Sequence, residues 1–233
     1  MINLKISSSY SSLSSIALQL TKDHNEDLWK YLADHHPEIA GMASFAKNDF
    51  SRTMKNIRSR LREEFILAAN QFRMWWPTSQ NTISEFFEIF FALKNPEQRT
   101  FYASLGISTI CPRDTTKGTF IIPYLANKPE FFRICSHEIS HFYFFKKMKE
   151  LSREIAIPPE KDIWIISEVL VPCLLNSDRL VEFSEKVPYQ CYAASNHLVE
   201  MCRQIYVDYW ENQRNQRLFW QKLLQLRVTQ EAQ

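Results

Sequence analysis

The sequence predicts an α+β fold that is mostly helical and carries one small sheet. The chain of 233 residues contains only 3 glycines, and most of its other residues are compatible with helix. Its 45% hydrophobic and 14% aromatic content is sufficient for a substantial core. Its 5 cysteines are odd in number and scattered among apolar residues, which is typical of buried, reduced thiols and argues against a disulfide framework.

Two regions are expected: a helical lobe over residues 1–100, and a region over residues 101–233 that carries the candidate site and C-terminal helices. One compact domain is the alternative. Three helices are predicted in the first region, with a break at Trp75-Trp76-Pro77: Glu26 to Ala33, Ala43 to Arg73 and Ile83 to Leu93. The second of these helices is basic. Because the net charge is only +2, a solvated surface is favoured over a nucleic-acid contact.

The second region begins with a short strand and continues with helices. Gly118 to Tyr124 is rich in β-branched and aromatic residues, and Pro123 confines this strand to an edge or a terminus of a sheet. An edge strand can hold an extended peptide by strand addition. A helix is predicted to start at Asn127-Lys128-Pro129 and a second, buried helix from Ile163 to Leu175. Apolar residues at helical spacing predict one or two further helices over residues 189–226.

The helix that starts at Asn127 contains the pentapeptide His137-Glu138-Ile139-Ser140-His141. On a helix the two histidines lie about 40° apart around the axis and roughly 6 Å apart along it, so both rings can reach one ion. The carboxylate of Glu138 can take a proton from a water whose pKa a bound metal has lowered, and later deliver it to a leaving amine. This pattern is typical of a zinc-dependent peptidase.

A catalytic zinc ion generally has three protein ligands and one open position, so a third ligand is required. The spacing HExxHxxGxxH is absent, because Phe144 and Lys147 stand at its Gly and third His positions. Glu168 is the strongest candidate, since it is the one carboxylate in the apolar run from Ile163 to Leu175, where an unpaired charge is costly. An ion pair with a distant Arg or Lys is the alternative.

With His137, Glu138, His141 and Glu168, the segment 117–176 resembles the gluzincins, the metallopeptidase group that includes the thermolysin-like enzymes. In that group HExxH lies on one helix and the glutamate on a following helix. The resemblance implies a zincin-like fold with a small sheet flanking the HExxH helix. It also implies His137, His141 and Glu168 as zinc ligands, Glu138 as general base, and Thr119 to Tyr124 as the substrate-facing edge strand.

The chain departs from the thermolysin-like pattern at Pro172. Those enzymes have an acidic residue four positions after the third ligand, which orients a ligating histidine. Support for the histidine is therefore expected from another residue, with Asp162 and Asn176 as candidates. Pro172 also predicts a kink, since it cannot donate to the carbonyl of Glu168. A different ligand choice is Cys111, as in peptide deformylases, although their glycine-rich motifs are missing from this chain.

The group that stabilises the developing oxyanion is not defined by a motif. Peptide hydrolysis over zinc generally recruits a His, Tyr or Arg for this purpose. His197 is selected as the catalytic candidate because Ser195-Asn196-His197 resembles a helix start. Four further residues after Glu168 remain open as alternatives: Tyr189, Tyr192, Arg203 and Tyr206.

These inferences predict a zinc-dependent, gluzincin-like peptidase that hydrolyses peptide bonds through a zinc-bound water, with a peptide or protein as substrate. The alternative is a non-catalytic helical interaction protein in which the same residues form a structural metal site or a buried polar network. The N-terminus lacks an apolar signal segment, and no run of about 18 apolar residues occurs. A cytoplasmic protein without membrane or nucleic-acid partners is therefore expected.

Overall fold

The computed structural model describes residues 1–8, 19, 22–23, 26–40, 47–94, 100–184, 186–189 and 194–226, with the side chains of 37, 40 and 47–51 outside the description. The described chain is mostly helical and has one four-stranded mixed sheet. The predicted α+β class with a helical majority and one small sheet is thus confirmed. None of the described helices has both the length and the apolar character that a membrane crossing requires.

The described residues form nine α-helices along the chain. A 3₁₀ turn at Trp76–Thr78 separates the fourth and fifth helices, and a π-helical segment at Tyr206–Asn212 extends the eighth. The α-helices are α1 (Glu26–His35), α2 (Pro37–Ala40), α3 (Lys47–Arg60), α4 (Arg62–Trp75), α5 (Gln80–Phe91), α6 (Lys128–Leu151), α7 (Glu160–Leu175), α8 (Asn196–Ile205) and α9 (Gln216–Leu223).

The observed helices differ from the predicted ones at Leu61 and agree with them at Trp75-Trp76-Pro77. The helix expected from Ala43 to Arg73 is divided at Leu61 into α3 and α4, and residues 43–46 lie outside the described residues. The predicted break at Trp75-Trp76-Pro77 is confirmed by the 3₁₀ turn. α7 begins directly after Pro158-Pro159 and continues past Pro172 to Leu175, so this proline does not end the helix.

The sheet contains β1 (Asn3–Ser7), β2 (Thr100–Gly106), β3 (Arg113–Asp114) and β4 (Thr119–Pro123) in the order β1-β2-β4-β3. β1 pairs parallel with β2, and β2 parallel with β4, whereas β3 pairs antiparallel with β4. One prediction was wrong here, since the region over residues 1–100 was expected as a helical lobe, but it includes β1. Pro123 was expected to confine its strand to an edge or a terminus, and it is the last residue of β4. The substrate-facing edge strand implied by the resemblance is covered by β3 at Thr119 and Phe120.

Gly106 ends β2 where β2 and β4 approach closely. A Cβ atom at this position would lie 2.6 Å from Cγ2 of Ile121, a buried and β-branched side chain that cannot rotate away. We expect Gly106→Ala to lower the free energy of unfolding by about 1–3 kcal/mol through overpacking. Urea denaturation measures this loss, and Ser104→Ala on the same strand is the control that adds no atoms. A Gly106→Ala protein with unchanged stability would contradict the close approach.

The described structure groups into two compact units that are discontinuous in sequence. One comprises Met1–Asn81 with Gln98–Glu138, and the other Thr82–Glu97 with Ile139–Gln233. The division passes through α6, which is one continuous helix. The bounds of these units differ from residues 1–100 and 101–233, and the functional division into those two regions stays a prediction.

Each unit has an aromatic core that fixes part of α6. In the first unit, Phe131 of α6 stacks on Phe72 of α4 with ring centroids 4.8 Å apart. In the second unit, Tyr143 of α6 packs against Phe87 and Phe91 of α5, both at 5.6 Å. Aromatic pairs of this kind add to the free energy gained from burial. The rotation of α6 about its axis is therefore set by packing on either side of the His137–His141 segment.

Candidate metal centre

α6 carries the HExxH segment as the sequence predicts. Its first turn is capped by Asn127, whose side-chain oxygen accepts a hydrogen bond from the backbone N–H of Glu130 at 2.9 Å. Pro129 occupies the first turn, where its missing N–H is not needed. The helix is apolar on several sides, with most of its large side chains buried: Phe131, Phe132, Ile134, Cys135, Ile139, Phe142, Tyr143, Phe144 and Met148.

Three side chains of this region come together as a group that can hold a metal ion. His137 and His141 of α6 and Glu168 of α7 offer ligand atoms that all lie within 4.8 Å of one another. His141 is fully buried and Glu168 is 6% exposed. The side chain of His137 is 28% exposed, so one ligand faces a more accessible side. The prediction that Glu168 approaches the histidine pair is thus met by the geometry.

The hydrogen bonds of His141 define which of its ring nitrogens is available to an ion. Nδ1 lies 3.1 Å from Oγ of Ser167, and that hydroxyl donates its hydrogen to the backbone oxygen of Trp164 at 2.6 Å. Since a hydroxyl has one hydrogen, Oγ must accept from Nδ1–H. Nε2 then carries the lone pair in the neutral ring. This nitrogen is the one directed at Oε1 of Glu168, at 3.5 Å.

The spacing of one pair of these atoms is compatible with a tetrahedral metal site. In such a site with bonds of about 2.0–2.1 Å, two ligand atoms are about 3.3 Å apart. The 3.5 Å between Nε2 of His141 and Oε1 of Glu168 is close to that value. Imidazole nitrogen and carboxylate oxygen are donors that zinc and other divalent metals accept. By donor type, the three residues could hold a metal ion.

Ser167→Ala tests the hydrogen bond that orients His141. Without the hydroxyl, the Nδ1–H of a buried ring loses its acceptor and the ring loses its fixed direction. We expect zinc affinity to fall by about 10- to 100-fold, the usual effect of removing such a partner. Competition with a zinc chelator measures the change, and Ser152→Ala, at an exposed serine after α6, is the control. Equal affinity in the Ser167 variant would exclude this role.

Glu138 is held by an arginine that the sequence did not identify. Nη1 of Arg113, from β3, lies 3.2 Å from Oε2 of Glu138, and the two side chains are only 13% and 4% exposed. The other carboxylate oxygen, Oε1, is 3.8 Å from Nε2 of His137. One oxygen of Glu138 thus contacts a fixed positive charge, while the other is directed toward the histidine side of the helix.

Arg113 and Ser167 are the two residues of this region that sequence reasoning missed. Ser167 directly precedes Glu168 inside an apolar helix. A second polar side chain in such a run indicates a buried hydrogen bond. Arg113 lies 25 positions from Glu138 and follows Cys111-Pro112 without any motif. Only the antiparallel pairing of β3 with β4 brings it to this place.

Other candidates are not members of the three-residue group. Among the described residues this group does not include His197, which is exposed in the first turn of α8, or Cys111. Burial and the nearby Glu138 charge raise the pKa of the Cys111 thiol well above its usual value. The side chain of Asn176 exchanges two hydrogen bonds with the backbone of Val187, so the predicted support for a histidine comes from Ser167 instead.

The alternative residues for oxyanion stabilisation contact other side chains, are buried, or lie outside the described residues. Arg203 pairs with Glu200 at 3.3 Å and lies over the ring of Tyr189. Tyr206 is buried, and burial raises its pKa well above the usual value. Tyr192 lies outside the described residues. A catalytic role for His197 or for any of these residues stays a prediction.

Comparisons with known proteins give no further assignment. No family model, no curated protein and no solved structure matches the chain.

Proposed function

We propose that this protein is a zinc-dependent peptidase of the gluzincin type, with His137, His141 and Glu168 as zinc ligands and Glu138 as general base. One observation carries the proposal. Buried His141 is oriented by Ser167 and directs its Nε2 at Glu168, on the turn of α6 that follows His137 and Glu138. The zincin-like fold belongs to the same proposal, and its support is a helix with HExxH, a following helix with Glu168, and a small mixed sheet in the same chain.

The chain's own residues divide the chemistry among them. A bound zinc ion supplies a Lewis acid that polarises the scissile carbonyl and makes water acidic enough to lose a proton near neutral pH. Glu138 accepts that proton and later delivers it to the leaving amine. Arg113 keeps the carboxylate in one orientation by binding Oε2. His141 and Glu168 are buried, which strengthens their electrostatic interaction with a cation.

The proposed substrate is a peptide or protein, and the proposed location is the cytoplasm. The substrate class is supported by the HExxH pattern together with Glu168. Strand addition at β4 receives less support than expected, because β3 pairs with the first two residues of β4. The four described cysteines are free thiols, three of them buried, as is common where the surroundings are reducing: Cys111, Cys135, Cys173 and Cys202.

A non-catalytic protein with a buried polar network is the second candidate. It is favoured by the way four groups, three of them buried, form two acid–base pairs, Arg113 with Glu138 and His141 with Glu168. If His141 is protonated, both pairs are charge-balanced without any ion. The two candidates differ in one measurable property, since the network needs no metal for stability and the zinc site gains stability from it.

Zinc content tests the proposed function directly. Protein prepared without chelator is expected to contain about one zinc ion per chain, because three donors of the right type lie together. His137→Ala, a change at the most accessible ligand, should lose the metal. His35→Ala, at an exposed histidine of α1, should keep it. Hydrolysis of a quenched fluorescent peptide library should stop with 1,10-phenanthroline and return with zinc. A folded, metal-free chain would exclude the proposal.

A further inference from the structure

A basic pocket lies on the first unit, away from the residues discussed so far. Its volume is about 300 Å³, and part of its lining comes from one face of α3 and α4. The residues that give it its character are three cations and two hydroxyls: Lys55, Arg58, Arg62, Ser8 and Ser59. Ile66, which is 41% exposed, adds an apolar surface. Phe65 is also part of the lining, but it is buried and stacks on Tyr124 at 4.9 Å.

The helical hydrogen bonds explain why the three cations share one wall. The backbone N–H of Leu61 donates to the oxygen of Ile57 at 2.9 Å, and that of Phe65 to the oxygen of Leu61 at 3.0 Å. Helical spacing therefore continues from α3 into α4. Positions 55, 58 and 62 are separated by three and four residues, so their side chains lie on one face. All three side chains are exposed.

No carboxylate of the described residues pairs with the cations of this wall. The pocket lining contains no carboxylate, and the three cations have no acidic partner among the described residues. Arg60, on the same helix but outside the lining, is different. Its guanidinium binds both carboxylate oxygens of Glu38, at 2.9 and 3.0 Å. Like charges at helical neighbour positions repel, and an anion removes that repulsion.

We propose that this pocket binds the phosphate group of a small phosphorylated ligand. Two guanidinium groups and an ammonium supply charge-assisted hydrogen bonds to phosphate oxygens, and Ser8 and Ser59 supply hydroxyl donors. A volume of about 300 Å³ is at the lower end of small-ligand pockets. Ser8 directly follows the carboxyl end of β1, which runs parallel to β2, and ligands commonly bind at such strand ends.

The pocket favours a small ligand over a nucleic-acid backbone. A backbone contact needs basic groups that continue along several phosphates, and here they converge in one concave place. The net charge of the whole chain is only +2, which gives little long-range attraction for a polyanion. The exposed apolar side chain of Ile66 beside the cations suits a phosphorylated organic molecule more than phosphate alone.

Calorimetric titration of the full chain with inorganic phosphate, pyrophosphate and AMP tests the site. We expect saturable binding that weakens as salt is raised. Arg58→Gln and Arg62→Gln should each weaken it about tenfold, since each removes a charged hydrogen bond, and the double variant should abolish it. Arg52→Gln, the same charge change at an exposed residue of α3 outside the pocket, should bind as the wild type does.

The controls separate this site from the zinc centre and from nucleic acid. Glu168→Gln should bind phosphate as well as wild type, because Glu168 does not line the pocket. Phosphate binding is therefore tested separately from the peptidase proposal. If Arg52→Gln and Arg58→Gln weakened phosphate binding equally, the effect would come from the overall charge and not from the pocket. That result would overturn the proposal. Tighter binding of a single-stranded oligonucleotide than of AMP, lost in the same variants, would replace the small ligand by a polyanion.

Discussion

Replacing Glu138 by glutamine is expected to lower peptide hydrolysis by about 10²- to 10⁴-fold, the usual contribution of a general base. The amide has nearly the same shape as the carboxylate but cannot accept the proton. Because Glu138 is not among the three ligands, zinc content should stay at the wild-type level. Steady-state hydrolysis and metal analysis of the same preparation measure the two quantities together, and kcat should fall more than KM changes.

Glu130→Gln is the matched control for this change. Glu130 lies on the same helix, and it also faces an arginine, with Arg133 at 3.6 Å. Its side chain is more exposed than that of Glu138, and its loss should leave hydrolysis unchanged. Full activity in Glu138→Gln with zinc bound would show that another group removes the proton. Loss of zinc together with activity would show that Glu138 supports the metal through its contact with Arg113.

Glu168→Gln should have the opposite signature, with zinc lost along with activity. The neutral amide keeps the volume of the side chain but is a much weaker ligand than a carboxylate. We expect zinc affinity to fall by more than about 100-fold, beyond the loss from removing a supporting hydrogen bond. Chelator competition measures the affinity. Zinc-dependent thermal stabilisation should be present in wild type and absent from the variant.

The control for Glu168→Gln is Glu182→Gln, the same charge change at an exposed position in the turns after α7. It should keep the zinc affinity of the wild type. If the buried network is correct instead, wild type binds no zinc and Glu168→Gln is destabilised by about 3–5 kcal/mol, because His141 loses its charge partner. Unfolding measured with and without zinc therefore decides between the two proposed functions.

The sequence was most informative where local pattern and chemistry coincide. α6 and its cap at Asn127 follow from residues next to one another, and so does the buried helix α7, which was predicted from Ile163 and begins at Glu160. Glu168 was identifiable because a carboxylate in an apolar helix needs a partner, and its partner is on a neighbouring helix. These are strong short-range signals that tertiary packing did not override.

The parts that were missed depend on pairing between distant segments. β1 and β2 are parallel partners separated by more than 90 residues. The residues Asn3–Ser7 alone do not indicate which strand they pair with. The covering of β4 by β3 was not predicted, because β3 has only two residues, too few to show a strand pattern. Arg113 was missed for the same reason, since its position beside Glu138 follows from β3.

One consequence follows from the fact that Ser167 and Glu168 are consecutive residues of α7. The first sets the direction of His141, and the second faces the same imidazole. A slight slide or twist of α7 therefore misaligns two determinants of the centre in one movement. Substitutions on the far side of α7 should thus be detectable as altered metal affinity well before the protein begins to melt.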